Sequence, residues 1–218
     1  MGHPETTSLN LVGVYNKFNG CANGDDVLLL EYCEAYSEVA KLLVYFGNLF
    51  YFVSSDVNHK ISDIRALHVA DKKNYGSVKQ MVDYEKKHHD PIKKKKCYGC
   101  RTLLRLHRAL LFVIELMQEV CTAPPDEQLR NIARSVYEKT LAQYHAWAVR
   151  KAVSVAVYAL PTREQLVQHI VQSQPRESGL FTREQCQEFL NTHTLPIMRT
   201  VYNCVQIILE KHNMLNLP

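Results

Sequence analysis

The stretch from residue 101 to residue 117 constrains the fold most, because it contains neither glycine nor proline and predicts a long helix. Three arginines recur in it at i, i+4 and i+7, which places them on one helix face: Arg101, Arg105 and Arg108. That face continues into Phe112 and Leu116, so it changes from cationic to apolar. The neighbouring side carries an apolar stripe that we expect to be core: Leu103, Leu106, Leu110, Val113 and Met117.

A second stretch, residues 49–60, repeats this arrangement in the opposite order. Its apolar face, through Phe52 and Val53, leads into Asp56 and Lys60, which are i, i+4 neighbours. If the two helices pack side by side, their polar ends meet above an apolar space. Clustered cations suit a phosphate, and the apolar continuation suits acyl chains, so the pattern predicts an amphiphile site. The alternative is a solvated arginine face beside a surface salt bridge worth ~0.3–0.5 kcal/mol.

The composition indicates an ordinary globular core and no membrane-spanning helix. The chain has 218 residues, a net charge of +4 and a hydrophobic content of 46%, enough for one large domain or two small ones. No uncharged apolar run reaches the roughly eighteen residues that a spanning helix needs, and the N-terminus lacks the basic start and apolar run of a signal peptide. Seven cysteines without a secretory signal indicate a reduced, cytosolic protein.

Two motifs just before the arginine-rich helix allow other functions. Cys97 and Cys100 form a CxxC motif, and with His88 and His89 they could hold zinc, but a second CxxC is missing and the spacing is unusual. The run Lys93–Lys96 predicts either a solvated loop or attraction to anionic lipid, at about 1 kcal/mol per basic residue near such a surface. A nucleic-acid patch lacks interleaved aromatics and a known motif. We therefore expect no metal, no cofactor and no nucleic-acid partner.

Helical spacing dominates the rest of the chain, so we expect an all-α protein with about eight or nine helices and one domain over 1–218. No strand pattern competes with this prediction. Asp25 and Asp26 are expected to cap a long helix from residue 27 to about residue 48.

Another helix is expected over residues 144–160, where His145 shares an apolar face with Leu141 and Val149. His145 is either a core histidine bonded to backbone or a binding group. Trp147 follows two residues later, and it is either core or an interfacial anchor, because indole prefers the headgroup region of a bilayer.

Four motifs stand out along these helices: Phe52-Val53-Ser54-Ser55-Asp56-Val57-x-x-Lys60, Cys100-Arg101-Thr102-x-Leu104-Arg105-Leu106-His107-Arg108-Ala109-Leu110, Tyr144-His145-x-Trp147-x-Val149-Arg150 and Ala159-Leu160-Pro161-Thr162-Arg163-Glu164. Together they resemble the glycolipid transfer protein superfamily, and most closely its subgroup that carries ceramide 1-phosphate, from about Leu9 to the C-terminal Leu215-Asn216-Leu217-Pro218. The resemblance implies a two-layer all-α sandwich enclosing a hydrophobic lipid pocket. It also implies a non-vesicular protein that transfers a sphingolipid between membranes without catalysis.

The resemblance implies a role for each residue of a headgroup centre. Asp56 would accept from the amide N–H and hydroxyl of the sphingoid backbone, and His145 would donate to the acyl-amide carbonyl. Lys60, Arg101 and Arg105 would hold the phosphate. A further family cation has no unambiguous match, although the lysine run could serve. The hydrophobic pocket would be lined by Leu42, Phe46, Phe52, Val53, Phe112, Leu116, Leu141, Val149 and Val153.

Two positions favour the phosphate-binding subgroup. Where glycolipid carriers have a tryptophan that stacks on the sugar, this chain has Arg105, and where they have an asparagine that bonds sugar hydroxyls, it has Lys60. A charged side chain in place of a stacking aromatic ring favours a phosphate over a neutral sugar as the bound headgroup. The family's aromatic residue at the position of Leu111 is absent, which leaves pocket shape and chain-length preference open.

We therefore expect a monomeric, cytosolic carrier of ceramide 1-phosphate that contacts anionic membrane surfaces through Trp147. Transient association with Golgi, endosome and plasma membranes is part of this expectation. Two alternatives stay open: a glycosphingolipid carrier, and a lipid-sensing adaptor whose output is a partner protein.

Overall fold

The computed structural model describes residues 8–47, 50–88, 99–124 and 126–217, and these fold almost entirely as helix. The predicted all-α class is confirmed, and the helices pack as a two-layer sandwich. The α-helices of the described residues are α1 (Leu11–Cys21), α2 (Leu29–Ala40), α3 (Tyr51–Ala70), α4 (Val78–His88), α5 (Gly99–Thr122), α6 (Leu129–Thr140), α7 (Trp147–Ala156), α8 (Arg163–Ser173), α9 (Arg183–Phe189) and α10 (Leu195–Lys211).

Helix α5 lies at the centre of the fold, in contact with α3, α4, α6 and α10. Its predicted core stripe is confirmed, because each of these five side chains is at most 7% exposed: Leu103, Leu106, Leu110, Val113 and Met117. They join a continuous apolar core to which α1, α2, α6 and α10 also contribute. Because this side of α5 is buried, we expect a ligand to contact α5 mainly through the adjacent arginine-bearing face.

The region around α2 differs from the expected long, aspartate-capped helix. A short hairpin of β1 (Ala22–Asn23) and antiparallel β2 (Asp26–Val27) precedes α2, although the sequence showed no strand pattern. The Asp26 carboxylate accepts from the backbone N–H of Lys79, 3.0 Å away, and so joins the hairpin to the start of α4. Beyond α2 the chain continues as a 3₁₀ helix over Lys41–Phe46. An aspartate side chain can accept from any N–H that the tertiary fold brings near it. The spacing of residues along the chain therefore wrongly predicted Asp26 as a helix cap.

Candidate functional site

A buried carboxylate fixes the start of the arginine-bearing helix. Glu85 on α4 is 1% exposed, and its two oxygens accept from the N–H groups of Gly99 and Cys100, each at 2.9 Å. The Tyr75 hydroxyl donates a third hydrogen bond to Glu85, at 3.2 Å. A carboxylate at a helix N-terminus satisfies amides that have no intrahelical partner and favours the helix dipole. Glu85 therefore anchors α5 to α4 at the end that carries the predicted phosphate ligands.

Glycine is required at position 99 by this close approach. A Cβ atom built on Gly99 would lie 2.5 Å from the sulfur of Met81 and 2.7 Å from Oε1 of Glu85. Real Cβ atoms do not make such contacts, so a side chain at this position would displace the carboxylate cap. The glycine of the CxxC motif therefore has a packing role in this structure.

Four of the five predicted headgroup residues lie on two helices that pack together, α3 and α5. On α3, Lys60 and Asp56 form the expected i, i+4 ion pair, in which the lysine side chain is 15% exposed and the carboxylate side chain 65% exposed. On α5, Arg101 is half-buried and Arg105, one turn later, is exposed. Two contacting helices thus present one accessible carboxylate and three cationic side chains. This set suits an anionic group that is covalently joined to a hydrogen-bond donor.

His145 does not lie on a helix face as predicted. Helix α7 begins only at Trp147, and a 3₁₀ turn over Ala142–Tyr144 precedes His145. Between them the backbone of His145 is extended, with φ −105° and ψ 137°. The apolar periodicity runs across this break, which explains the wrong prediction. The extended connection nevertheless places the imidazole in the lining of an apolar cavity.

The buried Tyr137 hydroxyl on α6 lies 2.9 Å from Nδ1 of His145, a contact that the sequence did not reveal. Burial lowers the pKa of His145 below its usual 6.5, while the charge on Asp56 acts in the opposite direction. A neutral imidazole has one N–H donor and one acceptor. When the tyrosine hydroxyl donates to Nδ1, the proton resides on Nε2, which is then the nitrogen that can donate to a ligand.

An apolar cavity of about 130 Å³ extends between α2, α3, α5, α6 and α7. Tyr137 and His145 are polar side chains in its lining. Leu129 on α6 and Leu160, which follows α7 and a 3₁₀ turn, also line the cavity. Among the residues predicted to form a pocket, those that line this cavity are Phe46, Val53, Phe112, Leu116, Leu141 and Val153.

Three other predicted pocket residues do not line this cavity, which corrects their assignment. Leu42 is 2% exposed and lies instead near core residues of α1 and α10. Phe52 is 58% exposed at the start of α3. Val149 is 41% exposed in the first turn of α7, and Val153, one turn later on the same face, lines the cavity.

The predicted membrane residue Trp147 is 66% exposed at the first position of α7. The Lys151 ammonium lies 5.9 Å from the indole centroid, one turn away. Further along the same segment Val155 and Tyr158 are also exposed. In the described parts of the chain no helix is long and apolar enough to cross a bilayer.

The lysine run Lys93–Lys96 and the first cysteine of the CxxC motif, Cys97, lie outside the described residues. Within the described ranges no group of three or more His, Cys, Asp or Glu side chains could hold a metal ion. The cysteines described there include these free thiols: Cys21, Cys33, Cys121, Cys186 and Cys204.

Comparison with known proteins gives concordant matches. The family model described as glycolipid transfer protein matches residues 27–172. The ceramide-1-phosphate transfer protein of Bos taurus is 33% identical, over 97% of this chain and 98% of its own length. The crystal structure of the mouse ceramide-1-phosphate transfer protein in its apo-form superposes with a TM-score of 0.86 at 32% identity, covering 96% of this chain and all of that one (100%). The human protein in complex with 2:0 ceramide-1-phosphate gives a TM-score of 0.85 at 31% identity, with 97% and 100% coverage.

Proposed function

Because the chain belongs to the glycolipid transfer protein family, we propose that it transfers ceramide 1-phosphate between membranes. Its match to ceramide-1-phosphate transfer proteins over nearly the full length supports this choice of lipid. The observation that carries the proposal is the pair of cations, Lys60 and Arg105, on two contacting helices beside an apolar cavity. A phosphate is stabilised by cations, whereas a neutral sugar gains nothing comparable from them.

In the proposed complex the phosphate lies against Lys60, Arg101 and Arg105. The carboxylate of Asp56, 65% exposed and therefore available, accepts from the amide N–H and hydroxyl of the sphingoid backbone. His145 donates from Nε2 to the acyl-amide carbonyl, a direction that its contact with the Tyr137 hydroxyl supports. Each polar group of the ligand thus contacts a protein group of opposite hydrogen-bonding character, which limits the desolvation cost of binding.

The acyl and sphingoid chains enter the cavity lined by Phe112, Leu116, Val153 and their neighbours. Transfer of apolar surface from water into such a cavity contributes roughly 25 cal/mol per Å². Removing the chains from the apolar interior of a bilayer has a similar free-energy cost, and burial in the cavity compensates for it. The protein therefore carries its lipid through water without chemical change, and we propose no catalytic role for any of its residues.

The membrane-facing surface in this proposal includes Trp147, with its exposed indole, and the cytosolic protein docks there as a monomer. The lysine run Lys93–Lys96 adds attraction to anionic lipid. Docking at Golgi, endosome and plasma membranes follows from such a surface because their cytosolic leaflets carry anionic headgroups.

A transfer assay with defined vesicles tests the function. Donor vesicles contain either ceramide 1-phosphate or a neutral glycosphingolipid, and mass spectrometry identifies any lipid that copurifies with the protein. We expect transfer of ceramide 1-phosphate and recovery of that lipid from the purified protein. Faster transfer of the glycosphingolipid would establish a glycolipid carrier instead. Tight binding of ceramide 1-phosphate without transfer would favour a lipid-sensing adaptor.

A further inference from the structure

The third arginine of the α5 face, Arg108, is held by protein groups. Its Nη2 atom donates to the backbone carbonyl of Leu215 at 2.7 Å. Its guanidinium carbon lies 3.8 Å from the centroid of the Tyr144 ring, a cation–π contact. Arg101, Arg105 and Arg108 share a face by spacing, but these two contacts give Arg108 a different environment. The helix periodicity that grouped the three arginines does not specify this difference.

Tyr144 occupies a sensitive position in the chain, directly before His145. It is the last residue of the 3₁₀ turn that starts at Ala142, and its N–H donates to the carbonyl of Leu141 at 3.0 Å. The next N–H, of His145, donates to the carbonyl of Ala142 at 3.2 Å. His145 then adopts an extended backbone outside any helix. Its imidazole is therefore placed by the turn that precedes it and by its contact with the Tyr137 hydroxyl.

We infer that Arg108 is a positioning residue that clamps Tyr144 between α5 and the C-terminal segment, and thereby holds His145 at the cavity. The guanidinium joins three parts of the chain: α5, the 3₁₀ turn through the Tyr144 ring, and the C-terminal segment through the Leu215 carbonyl. The planar group suits this task because it can donate along its edge while it packs its face on a ring. The effect on the ligand rests on the proposed function; the clamp itself does not.

A residue that acts through His145 has a defined energetic signature. If loss of the clamp lets the turn adopt other conformations, the apparent affinity falls by the fraction of molecules that keep His145 in place. That loss cannot exceed the loss caused by removing the imidazole itself. A direct phosphate ligand would behave differently, because its contribution would persist when His145 is absent. The two roles are therefore separated by a double-mutant cycle.

The cycle uses Arg108→Met, His145→Ala and the double variant, with Arg105→Leu in both backgrounds as the comparison. Methionine keeps an unbranched side chain and a helix propensity close to that of arginine, while it removes the charge and the donor. We expect Arg108→Met to weaken ceramide 1-phosphate binding about tenfold in the wild-type background, as a charged hydrogen bond and a cation–π contact disappear together. In the His145→Ala background the same substitution should have little effect, whereas Arg105→Leu should keep its full effect. Equal losses from Arg108→Met in both backgrounds would overturn the inference.

A second measurement needs no lipid. Backbone amide exchange in the ligand-free protein should accelerate at Tyr144 and His145 in Arg108→Met, while the buried stripe of α5 keeps its protection. Unchanged exchange at these two amides would refute the clamp even if lipid binding were reduced. If the wild-type protein failed to bind ceramide 1-phosphate, the proposed function would be lost, and the exchange measurement would still decide the role of Arg108.

Discussion

Arg105→Leu offers the sharpest separation of ligand binding from folding. In the part of the chain that the structure describes, the Arg105 side chain is exposed and makes no hydrogen bond or ion pair to protein. Leucine has a helix propensity close to that of arginine, so the free energy of unfolding should change by no more than about 0.5 kcal/mol. We expect this substitution, like Lys60→Ala, to abolish most transfer of ceramide 1-phosphate while the helical fold stays intact.

The size of the loss follows from the bond that is removed. A hydrogen bond to a charged group contributes about 1.5–3 kcal/mol, which corresponds to a roughly tenfold to hundredfold loss of affinity. Transfer between vesicles reports the function, and urea unfolding with circular dichroism reports the fold. Arg134→Leu on α6 is the matched control, because Arg134 is also an exposed helical arginine, paired only loosely with Glu138 at 3.8 Å. Transfer by Arg105→Leu at the rate of this control would refute the phosphate assignment.

Asp56→Val should impair transfer of all sphingolipids, because it removes the hydrogen-bond acceptor for their shared backbone. An equal loss of transfer for phosphatidic acid, which lacks the amide, would contradict the role of Asp56 as that acceptor. Trp147 fluorescence should shift to the blue with vesicles at both low and high salt, because salt does not screen the indole contact. Replacing Lys93–Lys96 by serine should weaken vesicle binding only at low salt, because salt screens the charge. A Trp147 emission unchanged by vesicles would place the docking surface elsewhere. Ala133→Phe should fill the cavity, in whose lining Ala133 lies, and block transfer without lowering the urea midpoint; normal transfer would place the chains outside this cavity. Burial lowers the pKa of His107 from 6.5 to about 4. Between these pH values the unfolded chain binds a proton at His107 that the native chain does not bind. The free energy of unfolding should therefore fall by up to about 3 kcal/mol as pH drops from about 6.5 to 4. Urea midpoints should show this slope reduced in His107→Leu, and an identical slope in the variant would exclude His107 as its source.

Much of α3 and α5 could be predicted from the sequence because their relevant information is local. Helical spacing fixed the buried stripe of α5, and it placed Asp56 beside Lys60 on α3. Side chains three or four positions apart meet on any helix, whatever surrounds it. The motifs added the family resemblance, and with it the expectation of a phosphate rather than a sugar at Lys60 and Arg105.

The same local reasoning failed where the backbone leaves the helix. His145 and Val149 were placed on one apolar face, yet α7 begins between them, at Trp147. The periodicity of apolar residues does not record a break in the backbone, because each residue keeps its hydrophobicity whether or not the helix continues through it. Val149 lies in the first turn of α7 and is 41% exposed, whereas Val153, one turn later on the same face, lines the cavity as predicted.

The tertiary structure alone decided which polar side chains meet across the chain. Glu85 caps α5 from α4, Tyr137 contacts His145 from α6, and Arg108 contacts Tyr144 and the carbonyl of Leu215. A hydrogen bond requires its two atoms to lie within about 3 Å, and residues distant in sequence reach that separation only through the packing of whole helices. The sequence therefore determined which helix faces carry charge and which are buried, and the packing of those helices determined which of the charges remain available to a ligand.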